Sequence, residues 1–119
     1  MPRIRVLFVC GKNRARSPTA EQVFADHPGL EVASAGVSRD ADERVTPELI
    51  AWADVVCVME RAHLAKLKAL GGSALRGKRV VNLRIPDVYG FMEPELVALV
   101  RERVDDALGR ASAAGTTAR

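Results

Sequence analysis

Four short segments rich in apolar and β-branched residues alternate with helical patterns, and this alternation limits the fold more than any other feature of the sequence. The segments cover residues 4–9, 31–34, 54–59 and 79–83. Strands of this kind are usually buried on both faces, and strands separated by helices form parallel sheets. We therefore predict an α/β fold with a four-stranded parallel sheet and helices on both faces.

The chain has 119 residues, which suits a single domain. We assign that domain to residues 1–109 and expect the small-residue segment 110–119 to be a flexible tail. Apolar residues make up 48% of the chain, but no apolar run approaches the ~20 residues of a membrane span. No secretory pattern is visible, so we expect a cytoplasmic protein that does not contact membranes. The net charge of +3 and the few scattered aromatic residues make nucleic acid an improbable partner.

Two Ser/Thr-Pro pairs mark the starts of helices, because proline is favoured at the first helical position. Ser17 precedes Pro18 and is expected to cap the first helix, and Thr46-Pro47 opens the second. Two more helices are predicted, over residues 61–70 and from Leu96 to Leu108, and a turn is predicted at residues 34–36. Gly109 is expected to end the last helix.

The loop after the first predicted strand has the composition of an anion site. It begins at Cys10, and five residues separate this cysteine from Arg16 at the start of a helix. Backbone amides in such a loop, together with the helix N-terminus, favour a phosphate-sized dianion. A thiol in that position should be held as the nucleophilic thiolate. Ligands of parallel sheets bind at this carboxyl edge, so we predict a phosphate-binding loop with Cys10 as nucleophile.

Other residues of the loop suit the same chemistry. Arg16 offers a planar, permanently charged fork for two phosphate oxygens, which lysine cannot reproduce. Asn13 tolerates a left-handed backbone, and Gly11 permits a close approach of backbone to ligand. Ser17 could donate a hydrogen bond to the thiolate. The predicted phosphate-binding residues of the loop are Gly11, Lys12, Asn13, Arg14, Ala15, Arg16 and Ser17. Among these, Lys12 and Arg14 are interpreted as solvated charges rather than catalysts.

The run VLFVCGKNRARSPTAE, from Val6 to Glu21, resembles the signature of the low-molecular-weight protein tyrosine phosphatases. Three further stretches continue the likeness, which spans about residues 4–108: Ser34-Ala35-Gly36, Arg44-Val45-Thr46 and Val58-Met59-Glu60, with Glu60 where aspartate is usual. The chain looks like a compact bacterial branch. The resemblance implies a sheet of flavodoxin-like strand order, Cys10 as nucleophile and Arg16 as the phosphate-binding arginine. It also implies a hydrogen-bond network of Asn13, Ser17 and Ser34 that supports the loop.

Expelling an alkoxide or phenoxide from phosphorus requires a proton donor opposite the nucleophile. Asp87 is the candidate, because the family places this acid in an Asp-Pro-aromatic motif after the fourth strand. Here Pro86 precedes the aspartate instead of following it, so Glu93 and Glu95 stay open as alternatives. The loop after Gly36 lacks the aromatic residue that the family usually has there, and Tyr89 is therefore expected to flank the pocket.

The resemblance implies a hydrolase: a cysteine-dependent, protein tyrosine phosphatase-like phosphomonoesterase that works through a phosphocysteine, without cofactor or metal. Its substrates would be phosphorylated proteins, phosphotyrosine included, or small phosphomonoesters, and phosphate-like anions would inhibit it. Two alternatives stay open, an arsenate reductase and a non-hydrolytic phosphate-binding or phosphocysteine carrier protein.

The remaining cysteine and the two histidines are not interpreted as site residues. Position 15 is alanine where many relatives carry a second cysteine, and Cys57 is interpreted as a buried small hydrophobe. His27 and His63 are interpreted as surface residues.

Overall fold

A computed structural model describes residues 3–109, so the predicted tail at 110–119 lies outside the described residues. The chain forms one parallel sheet with the strand order β2-β1-β3-β4. The strands are β1 (Ile4–Cys10), β2 (Leu30–Gly36), β3 (Val55–Val58) and β4 (Arg79–Asn82). Both the α/β fold class and the flavodoxin-like strand order are confirmed.

Helices follow each strand. They are α1 (Arg16–Phe24), α2 (Pro47–Trp52), α3 (Arg61–Gly71) and α4 (Pro94–Val104), with a short 3₁₀ helix at Gly72–Leu75 and a wider π-type turn at Asp105–Gly109. The last helix was predicted as regular as far as Leu108, whereas the regular α-helix ends at Val104. The wider turn still places Leu108 in the same apolar cluster as Val104, so the amphipathic pattern reports the burial but not the change of helix type.

Two apolar clusters cover the two faces of the sheet. One contains Val6, Phe8 and Cys57 and packs against residues of α1 and α4 such as Phe24 and Val100. The other cluster contains Leu7, Val9, Val56 and Val58 and packs against Ile50 of α2 and Leu67 of α3. Because side chains alternate between faces along a strand, β1 contributes to both clusters and is buried on both sides.

The predicted turn at residues 34–36 is wrong, because these residues form the end of β2. Ser34 and Gly36 pair with Phe8 and Cys10 of β1 in a parallel ladder. The small residues are needed here because the loop after β1 packs closely against this end of the strand, and not because the chain turns. A Cβ on Gly36 would lie 2.4 Å from the carbonyl oxygen of Gly11.

One helix cap was predicted correctly and one was not. The Thr46 side chain caps α2 by accepting a hydrogen bond from the Leu49 backbone amide at 3.1 Å. Ala15, not Ser17, is the N-cap residue of α1, and it makes no side-chain cap bond. Ser17 lies in the first turn, where its hydroxyl faces Cys10. Within residues 3–109, the helices are all too short or too polar to cross a membrane.

Candidate active site

The loop between β1 and α1 encloses one side of a cavity of about 340 Å³ at the carboxyl edge of the sheet. The cavity is lined by Cys10, Gly11, Lys12, Arg14, Ala15, Arg16, Ser38, Glu60, His63 and Asp87. These residues lie at the C-terminal end of β1 and in the segments that follow each of the four strands. The position agrees with the rule that parallel sheets bind ligands beyond the carboxyl ends of their strands.

Cys10 is the last residue of β1, is 3% exposed and lines this cavity. Its Sγ lies 2.9 Å from the hydroxyl oxygen of Ser17. The Asn13 amide donates to that same oxygen at 3.0 Å, which leaves the serine proton free for the sulfur or for the Ala35 carbonyl at 3.3 Å. A hydroxyl that donates to sulfur stabilises the thiolate over the thiol. Ser17 therefore lies in hydrogen-bond contact with Cys10.

The backbone of Asn13 adopts the predicted left-handed conformation, with φ 57°. Asparagine tolerates this region better than most residues, and its buried side chain reaches Ser17. The hydrogen-bond network predicted for Asn13 and Ser17 is present. Ser34, the third predicted member, instead donates to the Glu21 carboxylate at 2.5 Å. It therefore joins β2 to α1, and among the described residues it makes no hydrogen bond to Asn13 or Ser17.

Arg16 is 4% exposed, and protein acceptors fix one end of its guanidinium. Its Nη1 donates to the Ile85 carbonyl at 2.8 Å and to the Glu60 carboxylate. Among residues 3–109, neither Nε nor Nη2 donates a hydrogen bond, although Nε lies 3.7 Å from a carboxylate oxygen of Asp87. The Nε–Nη2 edge is thus the one that can donate two parallel hydrogen bonds to the oxygens of one anion.

Glu60 follows β3 and is the residue that replaces the usual aspartate. Its hydrogen bond with Arg16 holds the pKa of the carboxyl below its ordinary value, so Glu60 is ionised at neutral pH. An ionised partner in contact with Nη1 fixes the orientation of the guanidinium plane.

Asp87 lies in the loop after β4, lines the cavity and is largely solvent-exposed. The two alternative acids lie elsewhere. Glu93 accepts a hydrogen bond from the Gly90 amide at 3.1 Å, and neither Glu93 nor Glu95 lines the cavity. Of the three carboxylates considered from the sequence, Asp87 is the one placed beside Arg16.

Of three other predicted site residues, one lies outside the cavity and two line it. Tyr89 does not line the cavity and packs partly buried against the α1/α4 face of the core. Lys12 and Arg14 line the cavity but pair at 3.5 and 3.2 Å with the carboxylates of Asp40 and Asp42. Both ion pairs are more than half exposed, as expected for solvated loop charges.

His63 was predicted to be a surface residue, and this is wrong. It is 7% exposed, lines the cavity and accepts a hydrogen bond at Nδ1 from the Glu60 backbone amide at 3.1 Å. The signal in the sequence is the three-residue spacing from Glu60, the spacing at which a side chain in the first helical turn bonds back to the N-cap amide. His27 is exposed, as predicted.

Gly36 leaves no room for a side chain because the loop between β1 and α1 lies against it. A Cβ there would lie 2.7 Å from the Ala41 Cβ as well as against the Gly11 carbonyl. We expect Gly36→Ala to lower the free energy of unfolding by about 3 kcal/mol through overpacking, measured by urea denaturation. Gly29→Ala is the control, since a Cβ at Gly29 comes no closer than 3.4 Å to its nearest neighbour. Equal stability of the two variants would contradict this account.

Comparison with known families adds to this geometry. Residues 5–54 match the family described as "Low molecular weight phosphotyrosine protein phosphatase". Over this segment the chain is similar to the low molecular weight phosphotyrosine phosphatases. The match covers the loop from Cys10 to Arg16, all of β2 and all of β1 except its first residue, and it ends just before β3. A comparison with curated proteins gives no match.

Several solved structures share the fold over most of the chain. Wzb of Vibrio vulnificus, in complex with benzylphosphonate, is 27% identical with a TM-score of 0.66, covering 87% of this chain and 93% of that chain. Wzb of Escherichia coli K30, in complex with phosphate, is 23% identical with a TM-score of 0.71, covering 89% and 96%. The YwlE arginine phosphatase of Geobacillus stearothermophilus is 24% identical with a TM-score of 0.67, covering 91% and 94%. The fold is thus one on which phosphatases are built.

Proposed function

We propose that this protein is a cysteine-dependent phosphomonoesterase, active on phosphorylated proteins or small phosphate esters. One observation carries the proposal: Cys10 Sγ lies 2.9 Å from the Ser17 hydroxyl in a cavity that Arg16 also lines. The arginine edge that makes no protein hydrogen bond suits two equatorial oxygens of a phosphoryl group. The relatives in complex with phosphate and benzylphosphonate support a site for phosphate-like anions, which would inhibit the reaction.

In the first step, the Cys10 thiolate attacks phosphorus, an S–P bond forms and the P–O bond to the leaving group breaks. Asp87 gives its proton to the departing oxygen, so the alcohol leaves neutral. Arg16 and the loop amides stabilise the charge on the equatorial oxygens. In the second step, water loses a proton to Asp87 and displaces the cysteine, which releases phosphate and regenerates both groups.

The arsenate reductase alternative lacks a second thiol near the nucleophile. Cys57 pairs with Phe8, so it lies two residues back from Cys10 along the sheet. At a rise of about 3.3 Å per residue, the two Cα atoms are roughly 8 Å apart, too far for a disulfide. Burial also raises the pKa of the Cys57 thiol to about 12, which makes it unreactive. A carrier protein, the other alternative, would have no use for an acid in the position of Asp87.

The cytoplasm is the compartment that suits this chemistry. Cys10 and Cys57 are both free, and a nucleophilic thiol must remain reduced in order to act.

The test is phosphate release from p-nitrophenyl phosphate in the presence of a chelator, with acid-quenched protein examined by peptide mass spectrometry. Metal-independent turnover and a phosphate adduct on the peptide that contains Cys10 are the expected results. Turnover without such an adduct, or an adduct on another residue, would contradict the mechanism. If phosphate binds and no substrate turns over, the protein is a receptor.

The role of Asp87 predicts a dependence on the leaving group. Asp87→Asn should lower kcat/KM for an alkyl phosphate about 100-fold, since alkoxide needs protonation. The loss for p-nitrophenyl phosphate should be only a few-fold, since nitrophenolate leaves readily without a proton. Glu93→Gln serves as the control and should leave both rates unchanged, because Glu93 is hydrogen-bonded to Gly90 outside the cavity. Equal losses for the two substrates would remove Asp87 from this role.

A further inference from the structure

His63 has one ring nitrogen that is bound by the protein and one that is not. Nδ1 accepts the Glu60 amide, so the proton of the neutral ring sits on Nε2, which can only donate. Among the described residues Nε2 makes no hydrogen bond, and the nearest carboxylate oxygen, on Glu60, is 4.0 Å away. No buried side-chain nitrogen or oxygen within residues 3–109 lacks a partner, so Nε2 must be accessible from the cavity that His63 lines.

The imidazole is uncharged under ordinary conditions. Burial lowers the pKa of His63, and the charge of the Arg16 guanidinium lowers it further. The ring therefore presents a neutral N–H donor, which attracts an oxygen acceptor without adding another cation beside Arg16.

This donor lies next to the nucleophile. A Cβ built on Gly11, the residue after Cys10, would lie 3.9 Å from His63 Nε2 and 3.7 Å from the Ser38 hydroxyl. Both groups line the cavity, and both border the space beside Gly11. A leaving group that extends from a phosphoryl group on Cys10 through this space meets a fixed donor and a hydroxyl that can donate or accept.

The cavity wall does not suit a phenyl ring. Among the described residues, those that line it include no Phe, Tyr or Trp, and Tyr89 packs against the core instead. Polar groups left unpaired against an aryl group would cost binding energy, whereas hydroxyl groups would satisfy them. The volume of about 340 Å³ suits a small leaving group.

We propose that His63 is a specificity-determining residue whose Nε2–H donates to a hydroxyl or ether oxygen of the leaving group, and that the preferred substrates are small polyol or sugar phosphates. This inference rests on the proposed phosphomonoesterase function. Ser38 supplies the second polar contact. A phosphoguanidine leaving group has no acceptor for this donor and would be disfavoured.

The test compares glycerol 3-phosphate with propyl phosphate, which share a primary alkyl ester and differ in the hydroxyl groups. The protein is expected to favour glycerol 3-phosphate by about 10-fold in kcat/KM, the contribution of a substrate hydrogen bond. In His63→Asn this preference should fall to near unity, because kcat/KM falls more for glycerol 3-phosphate than for propyl phosphate or phenyl phosphate. Asparagine keeps an acceptor for the Glu60 amide and removes the Nε2 donor. If His63 had a purely structural role, the substitution would change kcat/KM for all three substrates by the same factor.

Ser38→Ala provides a second variant that leaves α3 intact, and it should lower the ratio of kcat/KM for glycerol 3-phosphate to kcat/KM for propyl phosphate. Equal rates for glycerol and propyl phosphates in the unmodified protein would overturn the inference and leave the phosphatase intact. A preference that persists in both variants would also overturn it. Absence of turnover for phenyl and p-nitrophenyl phosphate would overturn the proposed function, and this inference with it.

Discussion

Replacing Cys10 with serine is expected to reduce kcat for p-nitrophenyl phosphate by at least about 10⁴-fold. The loop amides and Arg16 would still bind the substrate, but a serine hydroxyl in the same position is not ionised and attacks phosphorus far more slowly. KM should change little, because the anion-binding groups are untouched. Steady-state kinetics in the presence of a chelator, with circular dichroism to confirm folding, would measure the effect.

Cys57→Ala is the matched control for this variant. Cys57 is fully buried in the α1/α4 face of the core, and alanine keeps an apolar side chain there. We expect its kcat to stay within a few-fold of the unmodified protein. Should Cys10→Ser retain substantial turnover, the cysteine would not be the nucleophile and the proposed function would fail. A loss in Cys57→Ala that matched the loss in Cys10→Ser would indicate a general effect of removing a thiol.

The sequence predicts the features that depend on contiguous residues. Cys10, Asn13, Arg16 and Ser17 lie on one strand–loop–helix unit, and their relative positions follow from the geometry of that unit. The strand order was implied by the resemblance and not by periodicity, because apolar patterning identifies strands without pairing them.

The features that the sequence did not predict depend on contacts between distant segments. His63 is buried because the loop after β3 packs beside the loop after β1, and an isolated helical pattern does not contain that information. Ser34 turns toward Glu21 because β2 packs against α1. Leu83 and Ile85 are buried in the cluster between the sheet and helices α1 and α4. The loop after β4 therefore lies on this face, and Tyr89 packs against the same cluster.

Arg16→Lys is expected to lower kcat/KM about 10³-fold and to weaken inhibition by orthophosphate at least about 10-fold. The guanidinium holds Ile85 and Glu60 through Nη1 and still offers a second edge to phosphate. A lysine ammonium is a single point charge that cannot serve both sets of acceptors in one plane. Because the transition state carries charge on the equatorial oxygens, kcat should fall along with affinity. Initial rates with and without orthophosphate would give both quantities.

Arg14→Lys is the matched control for Arg16→Lys, because Arg14 lines the same cavity and its ion pair with Asp42 is exposed. An exposed ion pair contributes little, and lysine preserves the charge, so both quantities should change by a few-fold at most. If Arg16→Lys retained its inhibition by orthophosphate, the Nε–Nη2 edge would not be the phosphate contact. If kcat/KM and inhibition by orthophosphate fell equally in the two variants, the cavity would attract phosphate by its total charge and not by a pair of hydrogen bonds from one guanidinium.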